Sequence, residues 1–389
     1  MSEFNIENRN LVTLVGIDFP SDVEVLYCGG NRLDNLSGCP SSVQKLYCYN
    51  NSLTTLAGCP PNVKIIHCAN NQLTTLAGCP PNVKYLECSN NRITSLSGCP
   101  PNVKELYCRN NRLTTLTGGP LSAQSIYCDG NQLTSLQDCP SNVLTLDCSC
   151  NQITSLQGCP STVLDLNCSM NPLTTLLGCP PNVQTLSCRH NSLTTLLGCH
   201  INVRRINCHN NQLTNLTTCP PDVEQLWVGN NQLITLSGCP LKVQALHCSN
   251  NRLTSLKGSP LSVQEIYCDN NRLTTLEDCP LHVKQLYCRN NKLISLQDCP
   301  PSVRHLAHDN NPLNAVYLNK TLAEIHEINT RKAYRTGIIK LNEIVYPTRI
   351  QRWWKYYYYD KVNSEGLSLF CLRSIDDSCR LGIINRNID

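Results

Sequence analysis

At 389 residues with a formal net charge of +4, the chain is close to neutral, and only 15% of it is charged. The small basic excess is local: 20 Lys or Arg stand against 20 Asp or Glu over residues 1–316, 9 against 4 over 317–361, and 3 against 4 over 362–389. No basic footprint for a polyanion therefore spans most of the chain, and no apolar run reaches the length of a membrane-spanning helix.

The chain opens MSEFNIENRNLVTLVGIDFP, with acidic and amide residues where a secretory leader needs a basic segment and an apolar core. The expectation is an intracellular protein in which residues 1–20 form an N-terminal edge segment.

From residue 21 to 316 one twenty-residue unit, VxxLxCxxNxLTxLxGCPxx, recurs about fifteen times, with starts from Val23 to Val303. Leu26 and Cys28 are two apart, so on a strand they share one side while Tyr27 and Gly29 share the other. One short parallel strand per unit, stacked about 4.8 Å apart, makes a continuous sheet. Its inward residues join Leu33 and Leu36 of the following turn in a core that no single unit could build. The asparagine recurring at 31, 51, 71 and onward is placed to bond backbone groups of its own and the next loop, giving a buried ladder. Twenty residues leave little room for a helix, and the Gly-Cys-Pro-Pro ending predicts an extended or turn-like outer side.

These slots resemble the leucine-rich repeat consensus LxxLxLxxNxL, with valine at the first apolar slot and cysteine at the third. The unit is most similar to the short bacterial effector type, whose second half carries Leu-Pro-x-Leu-Pro. Here Leu36-Ser37-Gly38-Cys39-Pro40 keeps the final proline, lacks the first, and puts cysteine for the second leucine. The Cys-Pro-Pro-Asn-Val junction, the Asn-Asn pair and the tail also resemble cysteine-bearing leucine-rich repeat proteins of large amoeba-infecting DNA viruses of the mimivirus type. The resemblance implies a repeat solenoid, a horseshoe or curved coil with a parallel β-sheet on the concave face, an extended convex face and a short helical C-terminal cap. It also implies a virus-encoded protein located in the host cytoplasm or, alternatively, in the virion.

Of the 28 cysteines, 26 fall between residues 28 and 299, nearly all at the third apolar slot or before the proline. Two readings stand: small core residues, or a ladder of disulfides or soft metal ligands. Neighbouring parallel strands hold Cβ atoms about 4.8 Å apart, whereas a disulfide wants about 3.8 Å. No CxxC pair is present, and Val228, Gly119 and Ser259 replace cysteine at the two slots. Packing is therefore the favoured reading, and no metal site or cofactor is expected.

Repeat solenoids bind partners on the concave sheet. The central outward column carries Tyr27, Tyr47, His67, Tyr107, Tyr127, Trp227, His247, Tyr267 and Tyr287, interrupted by a small polar stretch from Asp147 to Asn207. Tyrosine and tryptophan anchor protein interfaces, so these nine are the candidate partner-binding residues. Aromatic residues also stabilise a sheet by cross-strand packing, and repeat duplication would propagate them. Flanking positions such as Arg109, Asp129, Arg189, His209, Asp269, Arg289 and Asp309 mix charge, which argues against nucleic acid binding by the array.

At Tyr317 the grammar stops, and residues 317–389 form a third region. Leu322, Ile325 and Ile328 have helical spacing, a break is expected near Pro347, and Thr348 would cap a second helix. The bland role is to cover the end of the sheet. Arg349, Arg352, Trp353, Trp354 and Lys355 mix basic and aromatic character and are a second candidate contact. Ile350 to Lys355 is similar to the first half of a calmodulin-binding IQ motif, but Tyr356 replaces its glycine and Asp360 its final basic residue.

The expected function is a non-enzymatic scaffold that grips a host or viral protein. The alternative is a structural protein of a virion or assembly. A ubiquitin-ligase-like effector ranks below both, because Cys371 and Cys379 lack a nucleophile motif and a nearby histidine.

Overall fold

The computed structural model describes the backbone of residues 2–343 and the side chains of residues 2–333. The tail candidates Arg349, Arg352, Trp353, Trp354 and Lys355, together with Pro347, Thr348, Cys371 and Cys379, lie outside the described residues.

Among the described residues, sixteen strands form one sheet in strict chain order. They run from β1 (Ser2–Asn5) and β2 (Val23–Tyr27) through β3 (Lys45–Tyr47) to β16 (His305–Ala307), and from β3 onward each has three residues. Pairing is parallel in one repeated register: Leu46 lies opposite Ile66, and Tyr47 opposite His67. The whole array is a parallel β-solenoid in which each slot of the twenty-residue unit becomes a column.

The inward columns form one unbroken core. In one unit Val103, Leu106, Cys108 and Leu113 are each 0% exposed. Cys108 is thus a narrow core residue, and Val228 takes the same slot with the same complete burial. The cysteines before the proline sit at the rim: most are half-buried and packed against the core, and Cys239, Cys279 and Cys299 are buried.

The outer side is built of turns. Cys39 N–H donates to the Leu36 carbonyl across a turn whose third residue, Gly38, has φ +91°. A positive φ at that position requires glycine or a near equivalent. The proline then starts a second turn, in which Val43 N–H reaches the Pro40 carbonyl and leads into the next strand. Successive coils touch at the glycine, since a Cβ on Gly78 would lie 2.8 Å from Ala57 N and 2.9 Å from Leu56 C.

The asparagine column is the polar counterpart of the core. Asn111 is 7% exposed; its amide donates to the Cys108 carbonyl at 3.1 Å and to the Cys88 carbonyl at 3.1 Å, while its Oδ1 accepts from Ile93 N–H at 3.0 Å. The ladder is as expected, but each rung reaches back to the preceding coil rather than forward to the next. The preceding residue of the Asn-Asn pair has a separate task. Asn50, Asn70, Asn90 and Asn110 lie at φ 50 to 57°, in the left-handed region that asparagine and glycine tolerate best.

The N-terminal edge segment contributes a coil of its own. β1 pairs with β2, and Leu11, Leu14, Gly16 and Ile17 repeat the Leu33, Leu36, Gly38 and Cys39 slots at an offset of 22 residues. Leu14 is 1% exposed, and Gly16 has φ +84°, close to the +91° of Gly38. The signal was legible as LVTLVG, but the longer offset takes it out of the twenty-residue frame.

At the other end, α1 (Leu322–Glu343) follows the last coil. Thr321 and Glu324 close its N-terminus reciprocally: Thr321 N–H donates to Glu324 Oε2 at 2.8 Å, and Glu324 N–H donates to Thr321 Oγ1 at 3.3 Å. These bonds and Lys320 hold the exposed Glu324 carboxyl down at about 2. Ile325 is completely buried, Leu322 and Ile328 pack beside it, and Asn329 donates to the Leu296 carbonyl at 2.8 Å. Helical spacing, cap and apolar face agree with the expected role of covering the terminal coil.

Candidate interaction face

The parallel register brings all nine candidate side chains onto the outward face of the sheet, and all nine are half-buried. Their burial comes from one another. Tyr27 and Tyr47 stack with centroids 4.8 Å apart, Tyr47 and His67 are also 4.8 Å apart, and Tyr107 and Tyr127 are 4.6 Å apart at 9°. A second stack runs Trp227–His247 at 5.5 Å, His247–Tyr267 at 4.2 Å and Tyr267–Tyr287 at 4.5 Å. The strand spacing of about 4.8 Å is close to the contact distance of parallel rings, so a column of aromatic residues becomes a pile of them.

Two members were not picked out in the sequence. Glu87 interrupts the first column, but Tyr85, from the outward slot two residues earlier, bridges His67 at 5.0 Å and Tyr107 at 5.2 Å. His305, from the same earlier slot, extends the second stack beyond Tyr287 at 5.3 Å. Reading both outward slots together would have found them. Ala307, at the end of the central column, is 5% exposed and adds nothing to the face.

The stacks end opposite each other. Tyr127 closes the first and Trp227 opens the second, five strand steps or about 24 Å apart. Between them lie Asp147, Asn167, Ser187 and Asn207, with the Ser169 and Ser187 hydroxyls 2.9 Å apart. Arg109 lies 4.9 Å from the centroid of the Tyr127 ring while pairing with Asp129 at 2.9 Å. Burial lowers His67, and it lowers His247 to about 4, with His209 adding repulsion. The same burial pushes Tyr85 up to about 12, so its hydroxyl keeps its proton.

Away from this column, charge is sparse. Lys64, Lys84 and Lys104 occupy adjacent coils in the slot before the strand, and Gln124 and Leu144 end the run. In the slot after the proline, Leu241, Leu261 and Leu281 are 80%, 76% and 68% exposed, an apolar edge that the sequence reading passed over.

The thiols of the strand column have the chemistry of a core. Burial raises Cys28 to about 12 and Cys108 beyond the range of ordinary thiols. Cys150, outside both cysteine slots, is exposed.

Comparison with known proteins supports the fold. The family described as Leucine Rich repeats (2 copies) matches residues 81–122. YopM, a leucine-rich effector protein from Yersinia pestis, is 27% identical, with a TM-score of 0.63 over 78% of this chain and 88% of that one. The functional domain of InlJ from Listeria monocytogenes, which includes a cysteine ladder, is 22% identical, with a TM-score of 0.61 over 76% of this chain and 69% of that one. The leucine-rich repeat protein LIC12759 of Leptospira interrogans is 22% identical, with a TM-score of 0.53 over 84% and 81%. No curated protein matches the chain.

Proposed function

We propose that the protein is a non-enzymatic scaffold that grips a protein partner across the outward face of its sheet. The chain carries leucine-rich repeats in a fold typical of protein–protein interaction scaffolds, and the observation that carries the finer reading is the pair of aromatic stacks. Their rings spend most of their faces on each other, so a partner meets ring edges and hydroxyls along each pile. In-column stacking leaves one face each of Tyr127 and Trp227 turned toward the polar gap, with Arg109 beside the Tyr127 ring. That arrangement suits a protein with two apolar contacts separated by a hydrophilic segment, and it leaves little room for nucleobases to intercalate along the piles. The partner belongs to the host or to the virus if the viral resemblance holds, a reading supported only by the Cys-Pro-Pro-Asn-Val junction, the Asn-Asn pair and the tail.

Affinity capture from cell lysate tests this, comparing the intact chain with a variant carrying Tyr107→Ala, Tyr127→Ala, Trp227→Ala and Tyr267→Ala whose circular dichroism is unchanged. The expected result is loss of one specific partner, confirmed by direct binding of the purified pair weakened more than about tenfold. Capture of the same partner by both would move the contact to the tail residues Arg349 to Lys355. Absence of any partner from both would favour the structural role in a virion or assembly.

A further inference from the structure

The left-handed slot after each strand has a strict chemistry. Along the array it holds Gly30, four asparagines from Asn50 to Asn110, Gly130, and then six asparagines from Asn210 to Asn310. Three consecutive coils depart from it: Cys150 at φ 53°, Met170 at 55° and His190 at 52°. Cysteine and methionine gain nothing from a left-handed backbone, and strain of this kind concentrates where a side chain has a task. Met170 is one of only two methionines in the sequence, with Met1.

Side chains in this slot meet from coil to coil. Asn110 donates to Asn90 Oδ1 at 2.9 Å, and Asn310 donates to Asn290 Oδ1 at 2.8 Å. In the departing stretch the same contact joins Cys150 Sγ to Met170 Sδ at 3.3 Å, and His190 Nε2 lies 3.1 Å from Asn210 Nδ2. The backbone holds the three in step: Cys150 N–H donates to the Ser169 carbonyl at 2.9 Å, and Met170 N–H to the Arg189 carbonyl at 2.7 Å. A thiol, a thioether and an imidazole thus follow one another at about 4.8 Å intervals on an open edge.

We propose that Cys150, Met170 and His190 form a binding site for a soft monovalent metal ion, copper(I). Thiolate and thioether sulfur select copper(I) over harder ions, and imidazole completes a three-coordinate set. Two sulfurs each about 2.3 Å from one ion stand 3 to 4 Å apart, which the observed pair already satisfies. Binding replaces the thiol S–H bond with a copper–sulfur bond and releases the proton to water, with no change of oxidation state. Asn210 flanks the ring from the far side; turning its amide over, so that the carbonyl replaces Nδ2 beside Nε2 and accepts the Nε2 proton, leaves Nδ1 to the ion. The nearby carboxylates have other partners, Asp129 with Arg109 and Asp147 with the Ser149 amide and hydroxyl. Among the described residues no three His, Cys, Asp or Glu side chains converge, so the site depends on the thioether and does not suit zinc.

Competition between the reduced full-length protein and bicinchoninate for copper(I), without oxygen, tests the proposal. The double variant Met170→Asn/His190→Asn installs the slot's own residue and preserves the fold, and every other cysteine remains. The expected result is a first equivalent bound more than about 100-fold less tightly in the double variant and in Cys150→Ser, with thermal midpoints no lower than that of the parent. Copper-edge absorption of the parent's first equivalent should show two sulfurs and one nitrogen. An unchanged first affinity in the double variant, or a first equivalent held by sulfur alone, would overturn the assignment.

Discussion

A single asparagine side chain in the ladder bonds backbone groups of two coils at once, as Asn111 does with Ile93, Cys88 and Cys108. Replacing Asn111 by alanine leaves Ile93 N–H without its side-chain partner and takes one of two amide donors from each of the Cys88 and Cys108 carbonyls, which keep Asn91 and Asn131. The expected loss is about 2–3 kcal/mol of local stability, read as faster amide exchange at Ile93 with little change at distant coils. Cysteine plays the complementary apolar role. Iodoacetamide at pH 8 should modify Cys150 well before Cys108 in the native protein, and peptide mass spectrometry locates the label; early reaction of Cys108 would contradict its place in the core. The third apolar slot was legible in the sequence as a packing position. The left-handed slot was not, because Asn-Asn reads as a motif whereas its conformational reason lies in φ.

Among the elements, the ring stacks and the helix differ in how they are held. His247 lies between Trp227 and Tyr267, and its neutral form is the one the stack accommodates. Its folded pKa of about 4 lies below the unfolded value near 6.5, so its contribution is fully present above about pH 6.5 and is lost as pH falls toward 4. Proton NMR should find this imidazole neutral at pH 5, and His247→Phe should flatten the acid limb of the stability profile. The helix is held by its apolar face. Ile325→Asp places a carboxylate in a completely buried site, and amide protection should fall in the last coil, around Leu296 and Val303, while the coils near Cys108 keep theirs. The spacing of Leu322, Ile325 and Ile328 revealed this face in the sequence. The bridging of Glu87 by Tyr85 was hidden, because it joins two slots that periodicity keeps apart.

Across the whole molecule, stability is carried from neighbour to neighbour, since each coil pairs with the ones before and after it. Leu166 is completely buried in a middle strand, and Leu166→Ala should remove about 3 kcal/mol at one interface. In such an array the damage divides the chain. Urea unfolding should broaden into two transitions with a lower apparent slope, whereas retention of one sharp transition would mean that cooperativity spans the full length.

Periodicity alone determined the solenoid, its inward columns and the helical end, because one strand per twenty residues can bury its apolar side only against a copy of itself. The tertiary structure decided what the outward columns become. The extra coil at the N-terminus keeps the slots at a different interval, so pairing with β2 reveals it where the repeat frame does not. Rings twenty residues apart turn into stacks only when the register is fixed at zero shift. Cys150, Met170 and His190 form no local sequence motif, and they occupy neighbouring coils because stacking converts a separation of twenty residues into a step of about 4.8 Å.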